Sequence, residues 1–283
     1  MQFLWMLLAS LLFACMGVCV KFAAAHYAAA EIVFYRAFIS LLLMLVLVRL
    51  RGVALSTPHW RLHLGRGVTG FLALFSYFVA ISLLPLATAV TLNYTSAIFL
   101  ALYLACRGWR IGRGMMLALG VGLLGVILLL QPTLQADQWL GGMVGLGSGV
   151  LAAAAYFHVR ELGALGEPET RTVFYFALVS SVCAGGWLLF QQWHPLDARG
   201  ALLLFGVAIF ATAAQLAMTR AYKRTHTLVA AALAYSTVVF ASLFGVLFWA
   251  EHLDLSAWCA ILLIMASGVA ATHFSKAVPA EGE

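Results

Sequence analysis

Ten apolar runs follow one another along the chain, separated by short polar joins. They lie near residues 2–22, 30–50, 64–84, 86–106, 112–131, 140–160, 171–191, 199–220, 226–249 and 256–275. A helix that crosses a bilayer needs about 20 predominantly apolar residues, so each run is predicted to be one membrane span. Segments 3 and 4 meet at Leu84-Pro85-Leu86. The proline cannot extend the preceding hydrogen-bond ladder, which places a turn there. Segment 1, followed by Ala23-Ala24-Ala25, has the outline of a secretory signal. No basic residue precedes its apolar core, as such a signal requires, so it is read as a span.

Composition agrees with that pattern. The 283 residues are 64% hydrophobic and only 9% charged, against about a quarter charged in soluble domains. Lipid, which asks for apolar outward-facing side chains, explains the deficit. Cys15, Cys19, Cys106, Cys183 and Cys259 all fall in or beside apolar runs. Neither a CxxC pair nor a Cys/His cluster occurs, so no disulfide framework and no metal site is predicted. Cys15 and Cys19 share a helix face and are read as small packing residues.

The net charge of +6 matters through its distribution. With ten spans and a cytoplasmic N-terminus, thirteen of the sixteen Lys and Arg residues fall on the cytoplasmic side. Arg49, Arg51, Arg61 and Arg66 are counted in the second join. Only Lys21, Arg36 and Arg199 lie toward the other side. The positive-inside rule expects this bias, and a miscounted span would destroy it. The expectation is a multi-pass protein of the bacterial inner membrane with both termini cytoplasmic, with no nucleic-acid partner.

Two stretches recur at nearly one spacing. Glu31-Ile-Val-Phe-Tyr-Arg-Ala-Phe-Ile-Ser40 opens segment 2 and Arg171-Thr-Val-Phe-Tyr-Phe-Ala-Leu-Val-Ser180 opens segment 7, 140 residues on. Tyr94-Thr-Ser-Ala-Ile-Phe99 in segment 4 matches Tyr235-Ser-Thr-Val-Val-Phe240 in segment 9, 141 residues on. The chain is therefore read as two five-helix units, 1–135 and 136–283. Five is odd, so the second unit is inverted relative to the first. Inverted repeats belong to transporters, with the substrate site near the midplane between the halves.

These residues resemble the ten-helix branch of the drug/metabolite transporter superfamily, the EamA-type permeases. The likeness rests on Glu31–Ser40 with Arg36, on Gln215-Leu-Ala-Met-Thr-Arg-Ala-Tyr222, and on Tyr235 through Phe248-Trp-Ala-Glu251, followed by a last helix containing Gly268. It implies an all-α membrane fold of ten helices around a central cavity, working by alternating access without ATP. Such relatives move amino acids, other metabolites or drugs, usually outward. They commonly end the fourth helix of each repeat in an acid. Arg110 stands there in the first half of this chain.

Charges within a bilayer are expensive and default to function. Arg36, about two turns into segment 2, is read as a carboxylate receptor through its bidentate fork; the alternatives are a pair with Glu31 or snorkelling outward. Asn93, Tyr94, Tyr156, Gln215 and Tyr235 are candidate cavity residues, weighed against their use as polar glue between helices. Phe75 and Phe78, on a stripe with Phe71, are candidate aromatic walls, weighed against packing. Lys21, His158 and Glu251 are candidates for gating or coupling. Gly141, Gly145 and Gly149 repeat every fourth residue on segment 6 and predict close helix approach. No enzyme motif turns up. The expected function is secondary transport of a small-molecule substrate, with no cofactor, and export of amino acids or related compounds as the leading reading. Uptake of a nucleoside-like metabolite such as S-adenosylmethionine and a lipid-handling or scaffolding role are the alternatives. Substrate, direction, energy coupling and oligomeric state are open at this stage.

Overall fold

A computed structural model describes residues 2–84, 86–131, 138–191, 193–250 and 252–275. The described residues form helices α1 (Leu4–Ala23), α2 (Ala29–Leu50), α3 (Trp60–Leu83), α4 (Leu86–Tyr94), α5 (Ser96–Cys106), α6 (Arg113–Leu130), α7 (Trp139–Ala164), α8 (Glu169–Leu188), α9 (Ala198–Arg224), α10 (Thr227–Ala234), α11 (Ser236–Trp249) and α12 (Leu255–Ser275), and no strand. Among the described residues, ten spans are long and apolar enough to cross a membrane. Each predicted segment is one of them, with bounds shifted by a few residues. The shift that matters for the site is at α3, which begins at Trp60 directly after Thr57-Pro58-His59 rather than at 64.

Segments 4 and 9 are each broken once. α4 and α5 part at Thr95, and α10 and α11 part at Tyr235. At both points the backbone tightens: Thr95 N–H donates to Leu92 O at 3.2 Å and Tyr235 N–H to Ala232 O at 3.2 Å. A hydroxyl caps each break, Thr95 Oγ1 on Leu92 O at 2.5 Å and Ser236 Oγ on Leu233 O at 2.6 Å. Short polar side chains that bond the backbone compete with the regular helical ladder. The breaks fall 140 residues apart, at Thr95 and Tyr235.

Helix partnerships recur in the same way. α3 packs along α7 and α1 along α9; α5 also packs on α7 and α11 on α1; α2 crosses α8, and α6 pairs with α12. The largest apolar core joins α1, α5, α6, α7, α9, α10, α11 and α12, with Leu100, Leu104, Leu119 and Tyr235 among its fully buried side chains. Leu50, Leu202, Leu247, Leu262 and Val269 stand exposed on the outside, as expected of surfaces that face lipid rather than water.

The glycine stripe of α7 is a seam. Gly141 lies against Leu84, Gly145 against Leu92, and Gly149 against Thr95 and the Leu92 carbonyl at the α4–α5 break. Beside it Asn93 Nδ2 donates to Ser148 Oγ at 3.1 Å, and Ser148 Oγ donates to Gly145 O at 2.6 Å. Interhelical hydrogen bonds in membranes contribute about 0.6 kcal/mol on average. Ser148→Ala is therefore expected to lower the thermal midpoint in detergent only slightly. A fall as large as a core cavity produces would show that this bond carries the seam.

Candidate functional site

Hydrogen bonds between distant segments gather at the two ends of the helix bundle. At the end carrying the basic joins, α7 closes in a Schellman turn: Gly166, at φ 77°, donates to Gly163 O, and Glu167 N–H donates to Leu162 O. Only glycine adopts that left-handed step freely, and it turns Glu167 toward the 51–59 join. There Thr57 Oγ1 donates to Glu167 Oε1, Arg171 Nη1 lies 2.8 Å from Oε2, and His63 Nε2 lies 3.3 Å from Oε2. Arg171 Nε also donates to Ala54 O at 2.7 Å, and Lys223 Nζ to Glu167 O at 3.0 Å. Burial pushes the Glu167 carboxyl up, but donation from Thr57, Arg171 and His63 outweighs it and holds it below the usual carboxylate range.

The opposite end has its own clasp. Glu31, fully buried in the first turn of α2, accepts from Ala28 N–H at 2.8 Å, from His194 N–H at 2.7 Å, and pairs with His194 Nδ1 at 2.7 Å. Asp197 caps α9 through Gly200 N–H at 2.8 Å and accepts from the Tyr27 hydroxyl at 2.9 Å. Those two donors hold the Asp197 carboxyl below its ordinary value. The two clasps correspond residue by residue. Tyr27 and Glu167 are 140 residues apart, as are Thr57 and Asp197; Glu31 and Arg171 keep the same spacing, as do Ala54 and His194.

Between the clasps lies a small cavity of about 10 Å³, room for roughly one water. α2 supplies Arg36, Ala37 and Ser40, α8 supplies Val173, Phe176, Ala177 and Ser180, and α9 supplies Thr212 and Gln215. Ser40 and Thr212 share a hydroxyl bond of 2.7 Å. Arg66, on the second turn of α3 and 3% exposed, adjoins it: Nη2 donates to Gln215 Oε1 at 3.4 Å, and the guanidinium sits 4.1 Å from the Phe176 ring centre. Arg66 lies within electrostatic reach of Arg36, Tyr156 and Tyr222. Tyr156 and Tyr222 stack at 5.2 Å. Beyond that stack, toward the basic end, a vestibule of about 230 Å³ is lined by Trp109, Arg160, Ala164, Tyr222, Lys223, Thr225, His226 and Thr227. Burial, aided by Arg160, pushes the His226 imidazole below its ordinary value.

The sequence signature of the EamA-like transporter family matches residues 1–131 and matches again over 139–271. The chain belongs to that family. It is 35% identical over 270 residues to "Pseudopaline exporter CntI" of Pseudomonas aeruginosa, covering 95% of each chain. It is 26% identical over 273 residues to "Uncharacterized transporter" of Helicobacter pylori, covering 93% of this chain and 91% of that one. It is 28% identical over 225 residues to "Riboflavin transporter" of Rhizobium johnstonii, covering 77% of this chain and 73% of that one. A solved crystal structure superposes with a TM-score of 0.86 over 99% of both chains at 19% identity, a likeness of fold. The protein is thus a multi-pass membrane transporter of the drug/metabolite type.

In this EamA-like chain the predicted site residues separate into groups. Arg36 and Gln215 meet at the cavity, and Glu31 does not neutralise Arg36 because its carboxylate is committed to His194 and Ala28. Tyr156 stands beside Arg66, and Tyr94 and Tyr235 approach to 5.9 Å across the two helix breaks. His158 donates through Nδ1 to Ala154 O, 2.8 Å away on its own helix, with Nε2 against Gly65 of α3. Asn93 pins α4 to α7. Phe75 and Phe78 pack with Phe71, Val33 and Ala184 between α2, α3 and α8, and Phe75 meets Trp187 edge-on at 5.2 Å. Lys21 Nζ lies 3.9 Å over the Trp249 ring at the end away from the basic joins. Glu251 lies outside the described residues.

Sequence reasoning missed Arg66, Ser40, Ser180, Thr212, Tyr222 and the Glu167 clasp. Arg66 was counted as a charge of the second join, but α3 starts four residues earlier than its apolar run. Pro58 was the available signal, since proline marks a helix start. It moves Arg66 six residues into the helix, about 9 Å from its end.

Proposed function

We propose that this EamA-family protein is a secondary exporter of a small, amino-acid-like metabolite, loaded from the vestibule at its basic end and passed through the Arg36–Gln215 cavity by alternating access. The basic end is the cytoplasmic face of a bacterial inner membrane, by the positive-inside rule. The observation that carries the reading is the cavity's position: α2 and α3 border it from the first family match, and α8 and α9 from the second. Two five-helix units, 1–135 and 136–283, are inverted copies in this reading. The twofold family match, the paired breaks at Thr95 and Tyr235, and the clasps at a spacing of 140 support it. Substrate sites of inverted-repeat transporters lie near the midplane at the interface between the repeats. With both clasps closed and little internal space, the described conformation corresponds to an occluded stage. Opening the Glu167 clasp admits substrate from the cytoplasm; opening the Glu31 and Asp197 clasp releases it. Export rather than uptake is supported by the named exporter among the relatives.

Proteoliposomes loaded with radiolabelled amino acids, or with nucleosides in a parallel series, test this directly. Protein-dependent flux of amino-acid-like compounds is the expected result. Flux of nucleosides alone would favour the uptake-type substrate, and absence of flux for every compound would remove transport by this cavity.

A further inference from the structure

The charge inside the site does not balance. Arg36 lines the cavity and Arg66 adjoins it through Gln215, which lines it too. Arg36 Nε and Arg66 Nε and Nη1 are buried without a hydrogen-bond partner. Among the described residues no carboxylate is paired with Arg36 or Arg66, and those nearest the two ends of the cavity are committed elsewhere. Glu31 serves His194 and Ala28, Glu167 serves Thr57, Arg171 and His63, and Glu161 pairs with Arg160. Cations at this depth are retained where something pairs with them.

What is absent among the lining residues is an anion. Ser180, 1% exposed, lines the cavity with its hydroxyl unpartnered. Gln215 uses its carbonyl on Arg66 and keeps its NH₂ to give. The site therefore presents donors from three helices, α2, α8 and α9, and from α3 beside them. One singly charged group cannot neutralise two separated guanidiniums. Two carboxylates on one small scaffold can, and each matches the planar fork of an arginine. We propose that the cavity receives a substrate bearing two carboxylate groups, one held by Arg36 with Ser180 and the other by Arg66 with Gln215. The vestibule on the way in presents Lys223, and an Arg160 that is paired with Glu161, with no acid among its lining residues.

This rests on the transport reading above, and the experiment separates the two. Purified protein in proteoliposomes is assayed for flux of aspartate, glutamate, 2-aminoadipate and iminodiacetate, each against its monoamide, with O-phosphoserine alongside. At least one dicarboxylate is expected to move more than about 10-fold faster than its monoamide, the equivalent of one lost charge-assisted pair. Arg36→Gln and Arg66→Gln should each lower the rate of that dicarboxylate about 10- to 100-fold and bring the ratio to its monoamide toward one. Arg36→Gln should not lower the thermal midpoint, since it removes a charge with no paired acid. Arg66→Gln also gives up the Gln215 bond and the Phe176 contact and should lower it slightly. Flux confined to neutral compounds, a preference for phosphoserine over every dicarboxylate, or variants that keep the parent ratio would each overturn the dicarboxylate assignment and leave transport standing. Absence of flux across this panel and the general one would overturn both.

Discussion

Glu167→Ala is expected to open the basic end of the transporter and leave the opposite end closed. Glu167 is buried and holds Thr57, Arg171 and His63 at once. Removing it leaves a guanidinium and an imidazole facing a void, and breaking a buried pair in this way costs about 3–5 kcal/mol. In a two-state transporter that energy is lost only where the clasp is closed. The population ratio therefore moves by about 100-fold or more toward the state open at this end. The readout is alkylation of Ser180→Cys, placed in a background with the five native cysteines replaced. A membrane-impermeant maleimide added at the basic side should react at least about 10-fold faster in the Glu167→Ala background. Glu31→Ala should produce the mirror result, with reagent entering from the other side. Unchanged labelling, or faster entry from the opposite side, would remove Glu167 as a gate. The pH dependence has a definite sign. A carboxyl held below its ordinary value stabilises the closed clasp above the ordinary range, and that stabilisation is lost only as pH falls through the lowered value. Acidifying from about pH 7.5 to 5.5 should therefore not reproduce the variant, since the ordinary Glu value is already about 4.3.

The fold was legible because lipid imposes a crude rule. Ten runs of sufficient length produced ten spans, and even the Leu84-Pro85-Leu86 join separates α3 from α4. What hydropathy cannot register is a polar residue placed inside a span by a helix that begins before its apolar run. Arg66 was lost in this way, while Arg36, deep in its run, was found. The clasps were hidden for a different reason. Glu167 and His194 sit in joins that read as solvated, and their partners are 110 and 163 residues away. Only the folded bundle brings such joins together, so no local pattern announces them. The breaks at Thr95 and Tyr235 lie in stretches whose hydropathy is uninterrupted. Their signature is the hydroxyl at Thr95 or Ser236 bonding back to the carbonyl three residues earlier, a feature shared with many unbroken helices.

Gly149→Leu is expected to prevent the bundle from closing. A Cβ at that position would sit 2.6 Å from Thr95 Oγ1 and 2.9 Å from the Leu92 carbonyl oxygen. The second of these is backbone at the α4–α5 break and cannot rotate away as a side chain tip can. Gly145 differs in this respect, because its nearest neighbour is the flexible Leu92 Cδ1 at 2.7 Å. Overpacking a fitted interface costs about 1–3 kcal/mol for added methylenes, and a whole leucine forced against backbone should exceed that range. Much of the α7 contact with α4 and α5 would be lost, and the Asn93–Ser148 bond with it. The comparison that isolates the cause is Gly147→Leu on the same helix, where a Cβ meets nothing within 4 Å. That variant gains helix propensity of a little under 1 kcal/mol and should unfold no lower than the parent in detergent. Gly149→Leu should instead lose its monodisperse chromatographic peak, with Gly145→Leu falling between. Equal stability of the two leucine variants at 147 and 149 would mean that the seam is loosely packed. The helix interruption beside it would then have room to move independently of α7, and the two could not rock as one body during transport.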